Sequence, residues 1–106
     1  MPLKKFLIPH RDAIYIVDYS SILFFRSDNC YSHVYLADGN TFVLIKSLSR
    51  VQREVNNEGF IRISQSFLVN SNFITSIQKK QRAILIGTHT LPFTIPVKEL
   101  VQLLAR

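Results

Sequence analysis

The feature that most limits this chain is its punctuation. Apolar residues come in short runs of at most about five, rich in β-branched and aromatic side chains, and turn-forming residues separate them. Such runs are too short to cross a membrane as helices. They are also too closely spaced for alternating βαβ units, and they read as strands. Strands are expected at Lys4–Ile8, Ala13–Val17, Ile22–Arg26, Tyr31–Leu36, Thr41–Ile45, Phe60–Ser64, Phe67–Val69, Phe73–Gln78, Ala83–Ile86 and Leu91–Phe93. Ala37-Asp38-Gly39-Asn40 is a hairpin signal. The polar groups His10-Arg11-Asp12, Lys79-Lys80-Gln81 and Gly87-Thr88-His89 divide other runs.

Two stretches change period. Leu48, Val51 and Val55 fall at i, i+3 and i+7, with Ser47 or Ser49 placed to cap and Asn56-Asn57-Glu58-Gly59 placed to stop. This predicts a short helix over about 48–56. Pro96 suits a first helical position, and Val97, Leu100, Val101 and Leu104 share a face, which predicts a second helix over about 96–105. The whole chain, 1–106, reads as one mostly β domain: about ten short antiparallel strands in several small sheets, with these two helices. Its core is expected from Phe24, Phe67, Leu68, Val69, Ile74, Ile84, Leu85 and Leu100.

With 106 residues and 47% hydrophobic content, the chain needs neither disulfide nor metal to fold. Cys30 is the only cysteine, which excludes an internal disulfide and a cysteine zinc cluster. Gly39, Gly59 and Gly87 are too scattered for a phosphate-cradling loop. The apolar start Phe6-Leu7-Ile8 is too short for a signal peptide. The chain reads as soluble, reduced and cytoplasmic, without a membrane partner.

Nothing points to catalysis or to a cofactor. His10, His33 and His89 lack partners at metal-ligand spacing. A Cys30–His33 pair lies near one strand end, but a nucleophilic thiolate needs a positioned base and a cleft. Asp12, Asp18, Asp28 and Asp38 stand in or beside turns, where aspartate forms the turn itself.

Charge is more informative. The net charge of +6 is unevenly spread: residues 59–106 hold six basic residues (Arg62, Lys79, Lys80, Arg82, Lys98 and Arg106) and one acid, Glu99. That half suits a polyanion. No helix carries a basic face for the major groove, so loops would have to read DNA. Two polar connectors stand out: the loop Ser27-Asp28-Asn29-Cys30-Tyr31-Ser32-His33, and Ser64-Gln65-Ser66, which interrupts two apolar strands. Serine hydroxyls suit phosphate and a glutamine amide can bond adenine twice. The same residues could equally cap their own turns.

In order along the chain, several segments resemble the LytTR-type DNA-binding domain, the output domain of bacterial response regulators. They are Ile22-Leu23-Phe24-Phe25-Arg26-Ser27-Asp28-Asn29-Cys30-Tyr31, Asp38-Gly39, Ser47-Leu48-Ser49 with Val51, Phe60-x-Arg62-Ile63-x-x-Ser66-Phe67-Leu68-Val69-Asn70 with Ile74, and Leu91-Pro92-Phe93-Thr94. The resemblance covers about residues 5–104. It implies an elongated, mostly β fold whose loops enter the major groove of double-stranded DNA, on direct repeats that are often bent. Domains of this type usually follow a receiver domain under a sensor kinase, so these are possible upstream partners, and two copies would occupy adjacent repeats.

Carried over position by position, the resemblance implies base contacts from Ser32 or His33 and from Gln65. A third, commonly arginine, falls on Ile95, which could offer only an apolar contact to a thymine methyl. Ser64 replaces the family's usual histidine, and Asn29, which tolerates left-handed geometry, its usual turn glycine. Phosphate contacts would come from Lys46, Arg62, Lys79, Lys80, Arg82 and Lys98, aided by Asn29, Ser64, Ser66 and Thr94. Asn70 also suits a turn-bonding role away from DNA. Two rival readings are a single-strand or RNA-binding β module, stacking bases on Phe73, Tyr31 or Tyr35, and a protein-interaction domain.

Overall fold

The structure, a computed structural model, describes residues 5–105. The expected contributions of Lys4 and Arg106 lie outside that range. Among the described residues, ten strands form three antiparallel sheets. β1 (Phe6–His10) and β2 (Ala13–Val17) make a hairpin. The central sheet has the order β5-β4-β3-β7-β6, built from β3 (Ile22–Asp28), β4 (Tyr31–Leu36), β5 (Thr41–Leu44), β6 (Phe60–Arg62) and β7 (Phe67–Asn70). The third sheet joins β8 (Ile74–Gln78), β9 (Ala83–Ile86) and β10 (His89–Pro92). Helices α1 (Leu48–Glu54) and α2 (Val97–Leu104) complete the fold. The radius of gyration is 13.6 Å and the extents are 45 × 34 × 24 Å. The domain is therefore close to the roughly 13 Å of a compact chain this long, and moderately extended along one axis.

The central sheet is covered on both faces. On one side Ile22, Phe25, Val34 and Leu68 meet Phe6 and Ile8 of β1 and Leu48, Val51 and Val55 of the α1 segment. On the other, Phe24, Ile61 and Val69 meet Ile84, Ile86 and Leu91 of the third sheet and Leu100 of α2. Side chains alternate along a strand, so Ile22 and Phe24 should share a face. A register shift between them breaks the alternation and sends them to opposite cores. Phe25 then meets the Phe6 ring edge-on at 5.3 Å, while Phe24 stacks on Tyr35 at 4.3 Å.

The expected single core is therefore two. Phe24, Leu68, Val69, Ile84 and Leu100 are buried as expected, whereas Phe67, Ile74 and Leu85 sit half-buried at the margins. Element ends also shift. β1 continues to His10, and Arg11, at φ 58°, turns the chain with Asp12. β10 begins at His89, earlier than Leu91. α1 ends at Glu54, two residues short of the expected limit. Pro96 caps α2 from outside in an extended conformation, not from its first turn. Val101 is 47% exposed, and Leu103 packs in its place. None of the described helices is long and apolar enough to cross a membrane.

Asn70 ties the central strand down. Its Nδ2 donates to Ile22 O at 2.9 Å and Tyr19 O at 3.3 Å, and its Oδ1 accepts from Asn72 N at 3.0 Å. This is the backbone role the sequence allowed. Asn70→Ala should cost about 2 kcal/mol in urea unfolding, because it orphans a buried carbonyl. Phe25→Ala should cost about 3–5 kcal/mol. A loss near zero at Asn70 would mean water satisfies the same carbonyls.

Candidate nucleic-acid interface

Four connectors meet at one end of the two cores. The first is the β3–β4 turn. Asp28 pairs with Tyr31, so the turn is only Asn29-Cys30, with Asn29 at φ 56°. This corrects the expected seven-residue loop: the alternation of β4 runs back to Tyr31, and an asparagine that tolerates left-handed geometry closes a tight hairpin. Ser32 consequently points inward. It is fully buried, and its hydroxyl donates to Lys46 O at 2.9 Å. That bond fixes the segment leading into α1 and leaves no group for a base. His33 points to the other face, half-buried, with Nε2 2.9 Å from Asp28 Oδ2.

The second connector links β6 to β7. Ser64 Oγ accepts from Ser66 N and Phe67 N, each at 3.1 Å, so this hydroxyl shapes its own turn. Ser66 O accepts from Ser27 N at 2.9 Å, which joins the connector to β3. Arg62 clamps it from below. Its Nε donates to Ser64 O at 2.6 Å and its Nη2 to Gln65 O at 2.8 Å. Its Nη1 reaches Gln52 Oε1 on α1 at 2.8 Å. Burial draws the Arg62 pKa below the usual arginine value. Arg62 is thus engaged with the turn, and the Gln65 side chain is left exposed at its apex.

The third connector is the start of α1. Ser47 caps it, its Oγ accepting from Arg50 N at 3.2 Å. Ser47 and Ser49 line one concavity with Ser27, Asn29, Arg62, Gln65 and Ser66. The fourth runs from β10 to α2. Thr94 N donates to Ile63 O at 2.9 Å, and Thr94 and Pro92 line a second concavity with Ser64, Gln65, Ser66 and Phe67. Gln65 lies in both.

Arg82 extends this ridge. Its Nη2 donates to Ile95 O at 2.9 Å, its guanidinium lies 4.9 Å from the Phe93 ring centre, and its backbone oxygen accepts from Phe93 N at 2.9 Å. The lysine tip of β8–β9 is thereby set beside the exit of β10. Ile95 itself is half-buried against the second core. Lys79, Lys80 and Lys98 are exposed and form no ion pair among the described residues. Lys46 differs: it binds both Glu54 oxygens, at 2.8 and 3.0 Å, and lies over the Phe6 ring.

Sequence reasoning missed one component. Ser49, Gln52, Arg53 and Asn56 line a concavity on the outer side of α1. Their i, i+3, i+4, i+7 spacing complements the buried Leu48, Val51 and Val55, and would have found this polar face. Of the three aromatics considered for stacking, Phe73 and Tyr35 are half-buried against the second core and only Tyr31 is exposed. Cys30 is exposed in its turn. Among the described residues, no three His, Cys, Asp or Glu side chains converge as metal ligands would.

The pattern of the LytTr DNA-binding domain matches residues 12–103. A solved LytTr DNA-binding domain from a Bacillus cereus response regulator superposes with a TM-score of 0.77, covering 95% of each chain at 18% identity. No curated protein matches the chain. The family match spans β2 through α2 and every connector described above, and on that ground the chain belongs to the LytTR family of DNA-binding domains.

Proposed function

We propose that this domain regulates transcription by binding double-stranded DNA in the cytoplasm, with its connectors entering the major groove. Family membership supports DNA binding. The observation that carries the finer reading is the Gln65 turn. An exposed amide stands at the meeting of two concavities, on a backbone whose carbonyls are held by Arg62. A glutamine so held is preorganised to bond one adenine edge. Asn29 flanks it on one side and Thr94 on the other.

His33 is the better reader of the pair Ser32 and His33, since Ser32 is buried. Ile95 could supply only an apolar edge contact. Lys79, Lys80, Arg82, Lys98 and Arg53 form the pool for phosphates. Lys46 and Arg62 serve the protein's own structure, and Ser64 and Ser66 present the turn. Binding of two copies to adjacent direct repeats, DNA bending, and control by a receiver domain belong to the same reading. The half-buried state of Phe73 and Tyr35 supports duplex over single-strand binding.

Selection from a random duplex library, followed by anisotropy on the winner, tests this. If about five cations engage, affinity should fall with a log–log salt slope near −4 to −5. Tighter binding to the separated strand would overturn the duplex reading. Gln65→Ala should cost about 1–3 kcal/mol at a single base position and leave the salt slope unchanged; an equal loss on every sequence would make Gln65 a backbone contact. Arg62→Ala should flatten sequence preference while binding to unrelated duplex and its salt slope persist. A slope lowered by about one would instead make Arg62 a phosphate ligand.

A further inference from the structure

One cation in the central strand has no acid of its own. β3 carries Arg26 two residues after Phe24, on the face that leads into the second core. A charge on such a face is costly unless its head reaches water or a partner. Arg26 is half-buried, and no ion pair among the described residues includes it. The nearest carboxylate along the strand, Asp28, is engaged with His33. Ion pairing within the fold therefore does not account for this side chain.

One edge of the guanidinium is pinned. Arg26 Nε donates to Tyr35 Oη at 3.1 Å. Tyr35 is fixed in turn, its ring stacked on Phe24 at 4.3 Å and set edge-on to His89 at 5.7 Å. The two Nη groups take no part in the hydrogen bonds of the described residues. Among those residues no buried side-chain nitrogen or oxygen lacks a partner, so both Nη groups reach the surface. Register fixes where this fork stands. Arg26 lies opposite His33 of β4 on one side and Phe67 of β7 on the other. Directly paired residues share a face, with Cβ atoms about 5 Å apart. Phe67 lines the concavity that holds Gln65 and Thr94. Arg26 thus stands between His33 and the Gln65 concavity, in one row across three strands.

We propose that Arg26 reads a guanine, its two Nη groups donating to O6 and N7 in the major groove, and that Tyr35 is the residue that positions it. The assignment rests on the reading of the Gln65 surface as duplex-binding. A fork anchored at Nε and half-withdrawn into the sheet offers one orientation, which suits a planar pair of acceptors. A phosphate contact carries no sequence information, and the exposed Lys79 and Lys80 already supply charge for it.

Selection from a random duplex library with wild-type protein, Arg26→Gln and Tyr35→Phe tests the proposal. Wild-type protein should enrich guanine at one position and discriminate against the other bases there roughly tenfold. Arg26→Gln should abolish that preference and leave the rest of the motif. Tyr35→Phe keeps the ring on Phe24 and should weaken the same position alone, with an unchanged thermal midpoint. 7-Deazaguanine, which has C–H in place of N7, checks the unaltered protein. At that position it should weaken wild-type binding and leave Arg26→Gln unaffected. A motif kept in full by Arg26→Gln would overturn the proposal, as would tolerance of 7-deazaguanine throughout the motif. So would an equal loss on every duplex with the salt slope lowered by about one, which would make Arg26 a phosphate ligand. Wild-type protein without any sequence preference would remove the duplex reading itself, and this assignment with it.

Discussion

Two adjacent rings organise this domain. Phe24 and Phe25 leave the central strand on opposite sides, each with 1% or less of its surface exposed. One anchors β1–β2 and α1, the other the third sheet and α2. Neither outer layer could be stable alone: a two-stranded hairpin, a three-stranded sheet and two helices of seven and eight residues are all below the size that holds itself together in water. Alternation of Phe24 and Phe25 lets one strand serve both layers, and the register shift between Ile22 and Phe24 adds Ile22 to the first.

The candidate interface is a consequence of that arrangement. Strands of one sheet deliver the Asn29 turn and the Gln65 turn to the same end, and the other layers bring the start of α1 and the exit of β10 beside them. Backbone bonds from Ser27 to Ser66 and from Thr94 to Ile63 lock these connectors together. Arg62 then holds the Ser64 and Gln65 carbonyls from below, and Arg82, itself exposed, bonds Ile95 O. Cations that look like phosphate ligands in the sequence are therefore divided between two tasks. Lys46 and Arg62 serve the protein's own structure, Arg82 bonds Ile95 O from the surface, and the lysines of the β8–β9 tip with the cations of the two helices are left to meet an anion.

The sequence made the strands legible because each one alternates or is bounded by turn residues. It made α1 legible because Leu48, Val51 and Val55 mark a single helical face. The resemblance to the LytTR pattern marked the connectors. What it could not supply was direction. Ser32 and His33 are neighbours in a polar stretch, and only the two-residue turn at Asn29-Cys30 decides that one is buried and the other half-buried on the opposite face. Lys46 reads as a free cation until Glu54, eight residues away, is brought beside it by the helix. Splitting Ile22 from Phe24 depends on a register shift, and nothing in Ile-Leu-Phe-Phe announces one.

The central claim is that the connectors around Gln65 form one duplex-reading surface. Amide chemical-shift mapping during titration with the selected duplex tests it most directly. The account predicts the largest changes at Ser27–Cys30, Ser47–Arg53, Ser64–Ser66, Lys79–Arg82 and Thr94–Ile95, with the β1–β2 hairpin silent. Changes centred on the hairpin or on Tyr35 and Phe73, with the Gln65 turn unmoved, would contradict it.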